Sequence, residues 1–216
     1  SSGKYFSMSK TSQLIVNKGT NVTIISHEQS DADPAKMNND SRLYNRGLIT
    51  VQGRFILYNN SHLVNMGSFR SPSSLTVNDH NCRVTNYNLM DFDRLSSMEH
   101  AENDMIALEA GSVTKFRKFQ RVFSHSGDNS VVPLCGSGCI HVTGKVENIT
   151  VSKLVGPSVK VCLQGESVSS ASKWDTGILS TNCSSCDINV TPINKTVCDT
   201  SLGSRDTVRL EVRVSG

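Results

Sequence analysis

The stretch Leu43-Tyr-Asn45-Arg-Gly47 returns 20 residues later as Leu63-Val-Asn65-Met-Gly67, and Leu14-Ile-Val-Asn17-Lys-Gly19 carries a related phrase near the start. A fixed step of this length, with the same apolar residue, Asn and Gly at matching places, suggests stacked turns of chain that bury their apolar faces against one another. The expected fold is therefore all-β, a β-solenoid or parallel β-helix. The alternative is a β-sandwich, in which each Asn-x-Gly is an ordinary turn between antiparallel strands.

Around these phrases the chain alternates. Odd positions from Gly47 to Phe69 include Ile49, Val51, Gly53, Phe55, Leu57 and Leu63, whereas Thr50, Gln52, Arg54, Tyr58, Asn60 and His62 fall on even ones. Period-two alternation marks a strand with one face on a core and the other in water. A distant echo, Ile140-His-Val142-Thr-Gly144-Lys-Val146, matches Ile49-Thr-Val51-Gln-Gly53-Arg-Phe55. At the repeated corners Asn17, Gly19, Asn45, Gly47, Asn65 and Gly67 have distinct roles to play. Glycine takes positive φ without a Cβ clash, and an asparagine amide can bond backbone groups or the Asn stacked above it. The longer step from Gly19 to Gly47 implies a polar loop between Ser26 and Asp40, and a second charged loop is expected from Asp91 to Asp104.

Composition sets the class. The chain has 216 residues, 37% hydrophobic and 19% charged, with a formal net charge of +3. That charge argues against nucleic acid as a partner. The cluster Lys115-Phe-Arg-Lys118 with Arg121 reads as a solvated face with some capacity for an anionic glycan or lipid surface. No apolar run is long enough to span a membrane. The start at Ser1-Ser-Gly3 suggests a processed or excised chain, and the small residues Ser215-Gly216 are of the type found at lipid-anchor sites.

Asn-x-Ser/Thr acceptors begin at Asn21, Asn39, Asn59, Asn148, Asn182, Asn189 and Asn194, and point to N-glycans on a secreted or surface protein. Asn59 falls on the apolar parity, so either a turn shifts the register there or the acceptor is unused. Seven cysteines, Cys82, Cys135, Cys139, Cys162, Cys183, Cys186 and Cys198, read as disulfides plus one odd thiol in an oxidising compartment. A zinc site built from Cys135/Cys139 and Cys183/Cys186 is the rival reading. Beyond Pro157 the chain becomes Cys-rich and closes on the alternating stretch Thr207–Val214. The expected organisation is a repeat-bearing region 1–156 and a disulfide-rich β region or cap 157–216.

Chemistry is sparse. Asp91-Phe-Asp93, with His100 or Glu102, could form a carboxylate pair on one strand face, and Asp31-Ala-Asp33 or the same pair could hold calcium. No nucleophile elbow, phosphate loop, zincin or dinucleotide motif occurs. His62 and His141 sit on the outward parity, which suits surface residues better than metal ligands. The expectation is no catalytic site, no metal and no cofactor.

On Leu43–Phe69 and Cys139–Val146 the chain resembles secreted and cell-surface right-handed parallel β-helix proteins. That resemblance implies the architecture and an extracellular life. The group includes polysaccharide lyases, adhesins, phage fibres and appendage subunits. The function expected is an extracellular non-catalytic glycoprotein, a structural or assembly subunit capable of self-association, or an adhesin that touches protein or glycan. The alternatives are the head or attachment domain of a viral envelope glycoprotein and a carbohydrate-active β-helix enzyme.

Overall fold

Leu43 and Leu63 are Cα partners on neighbouring parallel strands, so the 20-residue step in sequence is one strand spacing in space. The computed structural model describes residues 6–25, 35–78, 81–97, 105–121, 134–147, 158–173, 178–181 and 183. Among them the protein is all-β and has no α-helix; Gly165–Lys173 is a 3₁₀ segment. One sheet has six strands, in spatial order Leu134–Gly136, Met105–Leu108, Arg83–Asn86, His62–Asn65, Arg42–Asn45 and Gln13–Val16. The other has twelve, and every pairing described in either sheet is parallel. The Asn-x-Gly turns therefore do not connect antiparallel neighbours, which removes the sandwich reading.

The alternation in sequence becomes the burial pattern. Ile49, Val51, Phe55, Leu57, Leu63 and Phe69 are fully buried. Register then turns each inward position into a column: Leu14, Leu43, Leu63, Val84, Ile106 and Leu134 lie side by side across the six-stranded sheet. The facing sheet contributes Phe69 between Phe55 and Phe92, with edge-to-face rings 5.2 and 6.4 Å apart. Such packing stabilises by burial and by the quadrupoles of the rings. The late echo has a structural meaning as well. Ile49, Phe69, Met90, Thr114 and Ile140 are successive partners in one column.

Beside the leucine column runs a polar one. Asn45, Asn65 and Asn86 are in register and fully buried. Asn45 Nδ2 donates to Asn65 Oδ1 at 2.8 Å, Asn65 Nδ2 to Asn86 Oδ1 at 2.9 Å, and Asn86 Nδ2 to Thr114 Oγ1 at 2.9 Å. The second proton of each amide goes to the backbone of the next pass: Asn45 to the Ser68 carbonyl, Asn65 to Leu89 and Asn86 to Val113. The first carbonyl also accepts from Gly47 N–H at 3.0 Å. A buried amide left unbonded would cost about 1–3 kcal/mol, and this relay leaves none of the three amides in that state.

Two expectations about the corners change. Cα pairing sets Val16, not Asn17, against Asn45, and Asn17 is exposed; the first copy of the phrase is one residue out of step. Positive φ is found at Gly19 but not at Gly47 or Gly67. Those two are glycine because consecutive corners nearly touch. A Cβ on Gly67 would lie 2.0 Å from the Gly47 carbonyl oxygen, and one on Gly47 2.2 Å from that of Thr20. The left-handed residues cluster at another corner, as the stacked pairs Lys10-Thr11, Asn39-Asp40 and Asn59-Asn60. Asp40 N–H donates to the Asn59 carbonyl, and Asn60 Nδ2 to Asp40 Oδ1. At this turn Asn59 leaves the inward parity and is exposed, while Leu57 before it and Leu63 after it both stay inward.

Boundaries also move. Ala35–Met37 is a strand paired with Phe55–Leu57, so the described end of the expected Ser26–Asp40 loop belongs to the sheet. Leu89–Ser97 is a nine-residue strand, which corrects the charged loop placed from Asp91 onward. Lys160–Leu163 pairs in register with Cys139–Val142, so the sheet continues past residue 156. The stretch Thr207–Val214 lies outside the described residues.

Replacing Asn65 by Ala should lower unfolding stability by roughly 2–4 kcal/mol, because amide and backbone groups on both sides lose their partner. Asn17→Ala should change it by less than about 0.5 kcal/mol; urea midpoints for the two variants check the pair. Gly67→Ala should be the most damaging of the corner changes, and Gly19→Ala should cost about 1 kcal/mol through its positive φ alone.

Candidate functional site on the outer sheet faces

With the interior filled by apolar and asparagine columns, ionisable side chains are left to the outward parity. On the twelve-stranded sheet Arg70, Asp91, Lys115 and His141 are successive Cα partners. Charge alternates from strand to strand, the arrangement that cross-strand pairing favours. Two residues further on, the Arg117 guanidinium pairs with Asp93 Oδ1 at 2.6 Å. The register spends one extra residue near Pro72 and Ser73 relative to Phe92–Arg94. Ser71 Oγ pins this bulge by donating to the Gly53 carbonyl and accepting from Ser73 N–H. The result is a groove of about 400 Å³ lined by Arg70, Asp91, Asp93, Lys115, Arg117 and His141.

Asp91 and Asp93 do share a face, as their spacing implies. Each has a cation as neighbour, Asp91 between Arg70 and Lys115 in register and Asp93 in its ion pair. Acid–base cleavage of a glycosidic bond needs two carboxyls in different states on either side of the bond. Electrostatic complementarity to a charged ligand needs only what is present. Of the basic cluster, Lys115 and Arg117 point outward and Lys118 is half-buried.

Next to the groove the outer face is closed over. Cys162 is the Cα partner of His141 and shares its outward parity, yet it is fully buried. Its sulfur is bonded to Cys183, with Cα atoms 5.4 Å apart, inside the ordinary disulfide range. Val113, Cys139 and Leu89 complete a small apolar cluster there. Cys139 is also disulfide-bonded. Cys82 faces the core, where Sγ reaches the Asn78 carbonyl at 3.5 Å, and Cys135 lies on a different sheet from Cys139. With the Cys183 sulfur in a disulfide, the zinc reading loses a ligand. His141 Nε2 meets Gln164 Oε1 at 2.9 Å instead.

The six-stranded sheet carries a different column. Arg42, His62 and Arg83 are successive Cα partners, all half-buried on the outward face. Burial pushes the His62 imidazole below its ordinary value near 6.5; Arg42 and Arg83 push it the same way, and Asp40 opposes them. Neither arginine has an ion-pair partner among the described residues. Alongside runs a second outward column of Tyr44, Val64 and Thr85.

The other expected residues distribute simply. Asn21 is exposed on the strand Asn21–Ile25, and Asn39 and Asn59 are exposed at the stacked left-handed corner. Asn148, Asn182, Asn189, Asn194, Cys186, Cys198, Asp31, Asp33, His100 and Glu102 lie outside the described residues. The sequence reading passed over Asn86 and the Arg42–His62–Arg83 column. The column had a signal, since each basic residue directly precedes the inward Leu43, Leu63 or Val84. No family model matches the chain, nor does any curated protein or solved structure.

Non-reducing peptide mapping should recover Cys162 linked to Cys183. A second expectation concerns pH. Because His62 is held below its unfolded value, the unfolded chain binds the proton more tightly; this contribution is present above about pH 6.5 and lost as pH falls through the lower folded value. His62→Gln should flatten that part of a stability–pH profile measured by urea unfolding.

Proposed function

We propose that this chain is a β-solenoid that acts by contact at an extracellular surface, as an adhesive or structural glycoprotein, without a reaction of its own. The observation that carries this reading is the groove's charge pattern: both candidate carboxylates are matched with cations from neighbouring strands, so the face offers fixed complementarity to a ligand. Parallel passes joined by a buried amide relay make a stiff support on which outward side chains keep their spacing. The Cys162–Cys183 disulfide is at home in an oxidising compartment. The exposed acceptors Asn21, Asn39 and Asn59 suit N-glycans.

The test is a panel of neutral and acidic polysaccharides passed over the immobilised protein, with chain length measured before and after. Retention of a glycan with its length unchanged is expected. Shortening that disappears in Asp91→Asn or Asp93→Asn would replace this reading with the carbohydrate-active enzyme.

A further inference from the structure

The two outer faces treat charge in opposite ways. On the twelve-stranded sheet Arg70, Asp91 and Lys115 alternate in sign, whereas on the six-stranded sheet Arg42, His62 and Arg83 stand side by side with no acid between them. Arg42 and Arg83 thus stand two strands apart on either side of His62, two cations with no acid in the column to offset them. From this departure we infer that the Arg42–His62–Arg83 column is a binding site for an acidic carbohydrate chain, its sulfate or carboxylate groups bridging the two arginines along the line that crosses the strands. This inference rests on the contact reading above and assigns it a face and a ligand class.

The geometry suits such a ligand. Adjacent strands lie about 4.8 Å apart, so Arg42 and Arg83 are separated by roughly 10 Å, with His62 midway. Guanidinium groups bind sulfate and carboxylate oxygens through paired, charge-assisted hydrogen bonds. Neither arginine is engaged by an acid among the described residues. Tyr44 lies one outward position along from Arg42, beside the buried Val64, and offers a ring surface on which a sugar can rest. A column only three residues long suits a short anionic segment better than the extended backbone of a nucleic acid, and the chain's net charge of +3 points the same way.

Binding also couples to protonation. His62 is faced by Arg42 and Arg83 from the strands on either side and by Asp40 from the preceding corner. An anion laid across the column favours the imidazolium, so the site takes up a proton as it fills.

The experiment is titration of the intact protein with a sulfated hexasaccharide, with its desulfated counterpart, and with single-stranded DNA of equal charge. Affinity for the sulfated sugar should fall roughly tenfold for each arginine in Arg42→Gln and Arg83→Gln, and should be unchanged in Lys18→Gln, at an exposed turn. Arg→Lys at each position, which keeps the charge but not the fork, should restore part of the loss and guards against a folding artefact. Wild-type affinity should rise between pH 7.5 and 5.5, a rise that His62→Gln abolishes (an experimental window set around the ordinary histidine value of about 6.5). Equal binding by wild type and both glutamine variants overturns this site while leaving contact elsewhere intact. No binding of the sulfated sugar, or tighter binding of the DNA, overturns the carbohydrate assignment. Cleavage of the hexasaccharide would instead sink the non-catalytic reading on which the site rests.

Discussion

The hydrogen-bond relay Asn45–Asn65–Asn86–Thr114 constrains everything built around it. Apolar columns alone fix which face of a strand is buried, but a slip of two residues would keep that parity and still bury side chains. A buried amide does not tolerate the slip. Each Asn must find the next amide and, at the same time, a particular backbone carbonyl of the following pass. The relay therefore sets the register to the residue, while the leucine and phenylalanine columns supply most of the burial energy. Its ends are arranged too. Thr114 occupies an inward place where neighbouring strands carry Met90 and Ile140, and its hydroxyl closes the relay against Asn86.

With the register set, the outer faces follow. Residues two apart on a strand share a side and residues one pass apart share a column, so two sheets carry straight lines of side chains at strand spacing. One line alternates in sign and closes its own ion pair between Asp93 and Arg117; the other keeps three basic groups together. The bulge at Pro72-Ser73 and the disulfide at Cys162 shape the ground around the first line without disturbing the interior.

Much of this could be read in the sequence, for physical reasons. Alternation from Ile49 to Phe69 reports burial directly, because a pleated strand has no other way to separate its faces. The Leu-x-Asn-x-Gly phrase reports the step. What escaped were features that depend on neighbours in space. Asn86 was hidden because Tyr87-Asn88 replaces the usual residue and glycine after it, and Asn17 misled because it is offset by one residue from Val16, the true partner of Asn45. The reason for Gly47 and Gly67 is the carbonyl of another pass, which no local φ argument contains. Likewise Arg42, His62 and Arg83 are scattered in sequence and become a column only once the register is known.

Most depends on the strands of each sheet pairing in parallel and in register. Cross-strand NOEs among residues 42–45, 62–65 and 83–86 test it most directly. Parallel register predicts contacts at a constant difference in residue number, with Val64 meeting Tyr44 and Thr85 and their neighbours. Contacts whose residue numbers instead keep a constant sum, as antiparallel hairpins require, would contradict the account.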